Sequence, residues 1–304
     1  MVSVVVIDYK KDNPLLRECL DHLQKQTYKD FEIILLTDYK NNLKYPKLRK
    51  KSYGRYIGPA QKRDGGAKIA KGEIIAFIDD DAYPEKDWLE NIILNFRNKN
   101  ITAVCGPGVT PPNSSWQEQA SGWVSVSPLG GGPFGYRFLP EKTRFVDDYP
   151  SMNLAVRKKD FLAVGGFDSH YWPGEDTKLC LDLTSGSKKI IYDPKILVYH
   201  HRRPLWLAHL KQNGNFGLHR GYFAKVLPKT SFRLSYFTPS ALLLFLPLAI
   251  FPYSILLILN AIWIANKSGS LLQGLISLPA VTVTHLWYGV KFIQGFLFTK
   301  KLSR

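Results

Sequence analysis

Short apolar runs alternate with helically spaced apolar positions over most of this chain, and long unbroken apolar runs take over in its last quarter. Residues 2–7 are a β-branched run and predict a first strand. Leu15, Leu16, Cys19, Leu20 and Leu23 follow at helical spacing and predict a helix over 14–26. Residues 31–36 read as a second buried strand closed by Thr37-Asp38, and 41–55 as a polar, basic loop with a short third strand near 53–57. A helix over 60–70, interrupted at Gly65-Gly66, leads to a strand over 74–78, a helix over 88–96 and a strand over 102–105. Strands alternating with helices predict an α/β fold with a mostly parallel sheet covered on both faces.

Beyond residue 106 the pattern loosens into a stretch rich in Gly, Pro and Ser, read as loops and a helix. A helix over 177–184 and strands over 189–192 and 196–199 follow, the last running into His200-His201-Arg202-Arg203. Residues 205–226 carry basic and aromatic side chains that suit a helix lying on a membrane surface. Residues 238–265 then hold no charge and 271–298 only Lys291, so each exceeds the ~20 residues a bilayer span requires. Residues 266–270 fit a hairpin turn. Lys225, Lys229 and Arg233 before, and Lys300, Lys301 and Arg304 after, predict a cell-membrane protein with two spans whose outer ends face the cytoplasm. The other reading is a pair of buried helices in a soluble protein.

Composition adds a net charge of +16, which calls for an anionic partner: nucleic acid, lipid head groups or a phosphorylated substrate. Cys19, Cys105 and Cys180 are too scattered for a zinc site or a disulfide framework and fit a reducing compartment. The N-terminus lacks a basic stretch before its apolar run and reads as a strand, not a signal peptide.

The chemistry concentrates at strand ends. Asp8, Asp38 and the triplet Asp79-Asp80-Asp81 each close an apolar run, which places them on the rim where open α/β sheets bind ligands. Three adjacent carboxylates repel, and burial raises the cost; a hard divalent cation offsets it. In a strand Asp79 and Asp81 share a face and Asp80 points away, so Asp79 and Asp81 can meet one ligand. A metal held by so few protein groups takes phosphate oxygens from its substrate. The alternative is a solvated acidic turn that caps the next helix.

Asp38, Lys62-Arg63-Asp64, Ala70-Lys71-Gly72-Glu73, the Asp79–Asp81 triplet, Asn153-Leu-Ala-Val-Arg157, Gly165-Gly166-Phe167-Asp168 and Gly174-Glu175-Asp176, in that order, resemble a family 2 glycosyltransferase of the GT-A fold. The resemblance runs from about residue 2 to 220. It departs from the family pattern at Asp8-Tyr9-Lys10, at Thr37-Asp38 and at Lys62-Arg63-Asp64, positions that bear on nucleotide contacts. It implies a Rossmann-like GT-A domain over 1–204; the apolar and charge pattern adds an interfacial helix and linker over 205–237, a transmembrane helical hairpin over 238–298 and a basic cytoplasmic tail over 299–304. The resemblance further implies a nucleotide-sugar donor, UDP-sugars favoured, and a divalent Mn2+ or Mg2+ on Asp81 with Asp79 and His200. Asp8, Asp38, Arg63, Asp79, Asp80, Arg202 and Arg203 fall on the donor. Of His200 and His201, adjacent in a strand, only one enters the cleft.

The resemblance casts Asp176 as general base with Glu175 beside it, and Trp172, Asn153, Gln212 and Arg220 on the acceptor side. The Gln-x-x-Arg-Trp motif of processive synthases is absent, which implies transfer of a single sugar; the membrane segments add a lipid-linked or membrane-proximal acceptor, and no nucleic-acid partner is expected. Kept beside this reading are a polyprenyl-phosphate sugar synthase that needs no base, a metal-dependent phosphohydrolase or nucleotidyltransferase, and an inactive membrane scaffold.

Overall fold

Continuous apolar runs belong where both faces of a sheet are covered, and β1 (Val2–Asp8) is buried at all seven positions. The computed structural model describes residues 1–302; Ser303 and Arg304, the end of the expected basic tail, lie outside the described residues. After β1 the Asn13 side chain accepts the Leu15 N–H and caps α1 (Pro14–Gln24), whose Pro14 sits where no backbone donor is needed. β2 (Phe31–Thr37), equally buried, pairs parallel to β1 with Asp8 beside Thr37.

β3 (Leu48–Ser52) pairs parallel to β2 and replaces the strand expected near 53–57. It is an edge strand of sequence Leu-Arg-Lys-Lys-Ser, half-buried to exposed throughout. Lysines keep such an edge in water, so apolar periodicity gives no sign of it. α2 (Pro59–Ile69) lies over β1 and β2. Its two glycines do not interrupt it. A Cβ on Gly66 would stand 2.6 Å from Val5 Cγ1, so this glycine lets the helix approach the sheet closely.

β4 (Ile74–Asp79) lies parallel on the other side of β1, with Ile7 beside Asp79. β5 (Ala82–Pro84), α3 (Trp88–Asn95), β6 (Ile101–Cys105) and β7 (Gly108–Val109) follow. Then come α4 (Trp116–Val126), a 3-10 turn at Gly132–Arg137, β8 (Arg144–Val146), β9 (Asn153–Arg157), α5 (Lys158–Ala163), α6 (Glu175–Leu183), β10 (Lys189–Tyr192) and β11 (Val198–His200). The main sheet has the order β3-β2-β1-β4-β9-β6-β10-β8. It is parallel from β3 to β4 and again between β6 and β10, but β9 and β8 run antiparallel, so the sheet is more mixed than the sequence predicts. β5, β11 and β7 make a second, three-stranded sheet. These strands belong to a first unit, Met1–Val109 with Pro140–His200.

The second unit comprises Thr110–Leu139 and the chain from His201 onward. To α4 it adds α7 (Leu207–Val226), α8 (Pro228–Ser231), α9 (Leu234–Leu244), α10 (Leu246–Ser268), α11 (Leu271–Ile293) and a π-helical turn at Gln294–Phe298. α7 is a packing helix more than a surface one. Cβ atoms on Gly214, Gly217 and Gly221 would run into Trp287, Tyr288 and Phe292 of α11, so the glycines form the contact face.

The expected span over 238–265 is broken at Phe245, where α9 ends and α10 begins. α10 closes on Gly269, whose φ of 68° suits a left-handed helix end. Among the described residues α10 alone is a helix long and apolar enough to cross a membrane. α11 has the same length, but Gln273, Ser277 and Thr284 line its buried side. Of the pair of spans expected from the sequence, the described helices thus show one candidate, and the second is not shown.

Candidate active site

The rim of the first unit is set by topology. β2, β1 and β4 are adjacent and parallel, so Thr37-Asp38, Asp8 and Asp79 emerge side by side at their carboxyl ends. β11 brings the remaining member, since its antiparallel pairing with β5 sets His200 opposite Ala82 and next to Asp81. His200 Nε2 lies 3.1 Å from Asp81 Oδ1. Asp79, Asp81 and His200 each offer a ligand atom, all within 4.8 Å of one another. His201 belongs to the second unit, where its Nδ1 is 3.7 Å from Glu118 Oε1. His200 is thus the histidine of this cluster.

Asp80 points the other way, as strand alternation predicts, and accepts from Asn13 Nδ2 at 2.6 Å. The same Asn13 nitrogen donates to Asp8 Oδ1 at 3.3 Å, so the residue that caps α1 also ties β1 to the acidic turn. The Tyr39 hydroxyl donates to the other Asp8 oxygen. Burial, then the charges of Asp81, Asp8 and Asp79, push the Asp80 carboxyl up to about 9. Carboxylates crowded in this way repel one another, and a divalent cation would offset that repulsion. Two carboxylates and an imidazole form a donor set that Mn2+ accepts well and Mg2+ acceptably.

The Lys62-Arg63-Asp64 run of α2 divides its work three ways. Lys62, 2 % exposed, donates to Asp38 Oδ2 at 2.7 Å and to the Asp8 carbonyl at 3.1 Å. Arg63 bridges Asp79 Oδ1 at 2.8 Å and Glu175 Oε1 at 3.2 Å, its guanidinium over the Phe167 ring. Asp64 accepts the Phe167 N–H at 2.9 Å and so holds the Gly165-Gly166 turn, where both glycines take positive φ.

Glu175 and Asp176 open α6. Burial and the neighbouring Asp176 push Glu175 up to about 7, against the pull of Arg63. Burial also raises Asp176, opposed by Arg63 and by hydrogen bonds from Ser151. Asp176 Oδ1 is shielded from solvent and has no hydrogen-bond partner among the described residues, which leaves one carboxylate oxygen available.

Asn153 has another occupation than the acceptor side assigned to it from sequence. It is 1 % exposed; its Oδ1 accepts from Trp88 Nε1 at 2.9 Å, and its Nδ2 donates to the carbonyls of Gly106 and Ile196 at 2.7 Å each. Trp172 stands half-buried in the first unit, two residues before Gly174. Arg202, Arg203, Gln212 and Arg220 are in the second unit. There Arg202 lies over the Phe138 ring and Arg220 donates to Ser231 Oγ at 3.2 Å and stacks over Tyr236. Sequence reading passed over Asn13, Lys62 and Tyr39 as site residues. A polar residue in the loop after β1 and an aromatic after Asp38 were the available signals.

Residues 3–158 match the profile described as glycosyl transferase family 2. The chain is similar to the pre-mycofactocin glycosyltransferase of Mycobacterium tuberculosis, at 31% identity over 154 residues, 50% of this chain and 32% of the relative. It thus spans about a third of that relative's length. It is also similar to the glucosyl-dolichyl phosphate glucuronosyltransferase of Haloferax volcanii, at 24% identity over 229 residues, 66% of this chain and 68% of the relative. Among solved structures, a mannosyltransferase from Pyrobaculum calidifontis in complex with GDP-Man and Mn2+ shares the fold, with a TM-score of 0.61, 18% identity, and coverage of 99% of this chain and 88% of that one. With a GT-A-like mixed sheet, its acidic rim and this match over half its length, the chain belongs to glycosyl transferase family 2.

Proposed function

We propose that the chain moves one sugar, with inversion at the anomeric carbon, from a nucleotide-diphosphate sugar to a lipid-linked or membrane-proximal hydroxyl acceptor. The observation that carries this reading is the unpartnered Asp176 Oδ1 on a helix start fixed by the Asp79–Arg63–Glu175 chain of ion pairs. Asp79, Asp81 and His200 would hold Mn2+ or Mg2+, which when bound supplies positive charge for the departing diphosphate. Asp38, fixed by Lys62 and the Ile57 N–H, stands at the end of β2 to meet the nucleoside. Asp176 takes the acceptor's proton as the acceptor oxygen bonds to the anomeric carbon, and the bond to the diphosphate oxygen breaks on the opposite face. Glu175 is held by Arg63 and the Gly174 N–H, so it positions this helix end.

The relatives support the donor and acceptor classes. One solved neighbour holds GDP-Man with Mn2+, and one curated relative is named for a dolichyl phosphate substrate. A UDP-sugar donor, a cytoplasmic catalytic unit and the 1–204 domain boundary are parts of the same proposal. The test is a donor screen with the purified full chain in detergent, using UDP-, GDP- and dTDP-sugars with Mn2+ or Mg2+. One donor should give transfer that EDTA abolishes and Mn2+ restores; full activity in EDTA, or no donor bound at all, would refute the reading.

A further inference from the structure

The second unit is chemically lopsided. Glu118 is its one acidic residue, against thirteen Lys and Arg. α10 sorts its residues by face: Tyr253, Asn260 and Ile264 are buried, while Leu248, Phe251, Ile255, Leu259 and Ile262 are exposed, Leu248 at 83% and Phe251 at 75%. Leu271, Leu272 and Leu275 continue that surface on α11. A patch this large does not stay in water. A second copy of the same face would bring like charges together, whereas anionic lipid complements it. Lys267 marks one end of the apolar surface, and Lys225, Lys229 and Arg233 precede the other.

Length permits α10 to cross a bilayer, but what the helices pack against does not. Ala280 and Val281, near the middle of α11, share a buried cluster with Ala120 and Val124 of α4. Ala120 stands two residues after Glu118, which closes a capping box with Ser115. The irregular chain after α4 also meets both helices at mid-length: Leu129 N donates to Asn260 Oδ1 at 3.1 Å, and Leu129 O is 3.0 Å from His285 Nε2. α7, with Lys211, Asn215 and Lys225, runs along the rest of α11 from Thr284, bonded to His209, to Phe292 against Gly221.

A spanning pose that sets Ala280 near mid-bilayer would draw Glu118, its cap and the polar side of α7 into hydrocarbon. One such charge at the centre costs at least ~2.5 kcal/mol, and irregular backbone is tolerated there only inside protein. We propose that α9, α10 and α11 form a monotopic anchor. Their outer apolar face sinks into one leaflet of an anionic bilayer, and the turn at Gly269 stays on the side the chain came from.

The test needs no sugar donor, so it is independent of the transferase reading. Asn266→Cys at the hairpin turn and Ser187→Cys in the first unit are both exposed positions, and the three native cysteines are buried. With a membrane-impermeant maleimide, both should label in the same orientation of sealed vesicles and lose labelling in the other. Labelling in opposite orientations would establish a spanning hairpin and overturn the proposal. Recovery of the chain in the soluble fraction without detergent would overturn it equally. On the unsubstituted chain, trypsin should cut after Lys267 only in the vesicle orientation that also digests the first unit.

Discussion

A carboxylate with one idle oxygen is a costly thing to keep in a protein interior. Asp176 keeps one while its neighbour Glu175 spends both oxygens, on Arg63 and on the Gly174 N–H. Asp176→Asn keeps the shape and removes basicity, so kcat should fall by about 10²-fold or more with a hydroxyl acceptor while donor affinity, measured by calorimetry, stays level. Unchanged turnover would instead identify an acceptor already ionised, such as a lipid phosphate. The base works only when deprotonated, and burial raises its pKa. The acid limb of kcat/KM should therefore sit above the ordinary carboxylate range, with activity lost as pH falls through it. Asn153 makes the opposite case. Asn153→Ala strips partners from Trp88 and two backbone carbonyls, so it should destabilise the fold by roughly 1–3 kcal/mol per buried group left unpaired. Denaturant unfolding should show that loss; an acceptor KM effect without it would return Asn153 to the acceptor side.

Elements explain which of these roles could be read in advance. β1, β2 and β4 announce themselves because each is an apolar run ending in a carboxylate, and two ends of that kind can be aligned without knowing the sheet order. Asn13 and Lys62 stayed hidden because their partners, Asp80 and Asp38, are distant in sequence and meet them only through parallel pairing. The choice of His200 over His201 needed the register of β11 against β5, which no local pattern encodes. β3 was misplaced because an edge strand is selected for charge. The basic and aromatic side chains of α7 suggest a surface helix, and the role of its glycines shows only when α11 is laid against them. Gly217→Leu must push against the Tyr288 carbonyl, and it should cost about 1–3 kcal/mol as overpacking does. The thermal midpoint in detergent should drop, whereas Phe216→Leu, at a neighbouring exposed position, should leave it in place.

At the scale of the whole chain, charge is distributed as unevenly as hydrophobicity. The first unit holds 28 basic side chains against 24 acidic ones, so the excess of +16 comes mostly from the second. With the proposed anchor on anionic lipid, that separation makes ionic strength a control on where the molecule goes. Counterions screen exposed charges beyond about 8 Å at physiological salt, so when the detergent-held chain is diluted onto anionic vesicles, capture should be fast at low salt and slow steeply as salt is added. The rate read by stopped-flow energy transfer should respond to salt, and the release rate, governed by buried apolar surface, should hardly change. Neutral vesicles should show neither the fast capture nor its salt dependence. A membrane patch that loses its anionic lipid would thus keep the molecules it already has and recruit new ones slowly, so surface composition would set the rate at which enzyme is delivered.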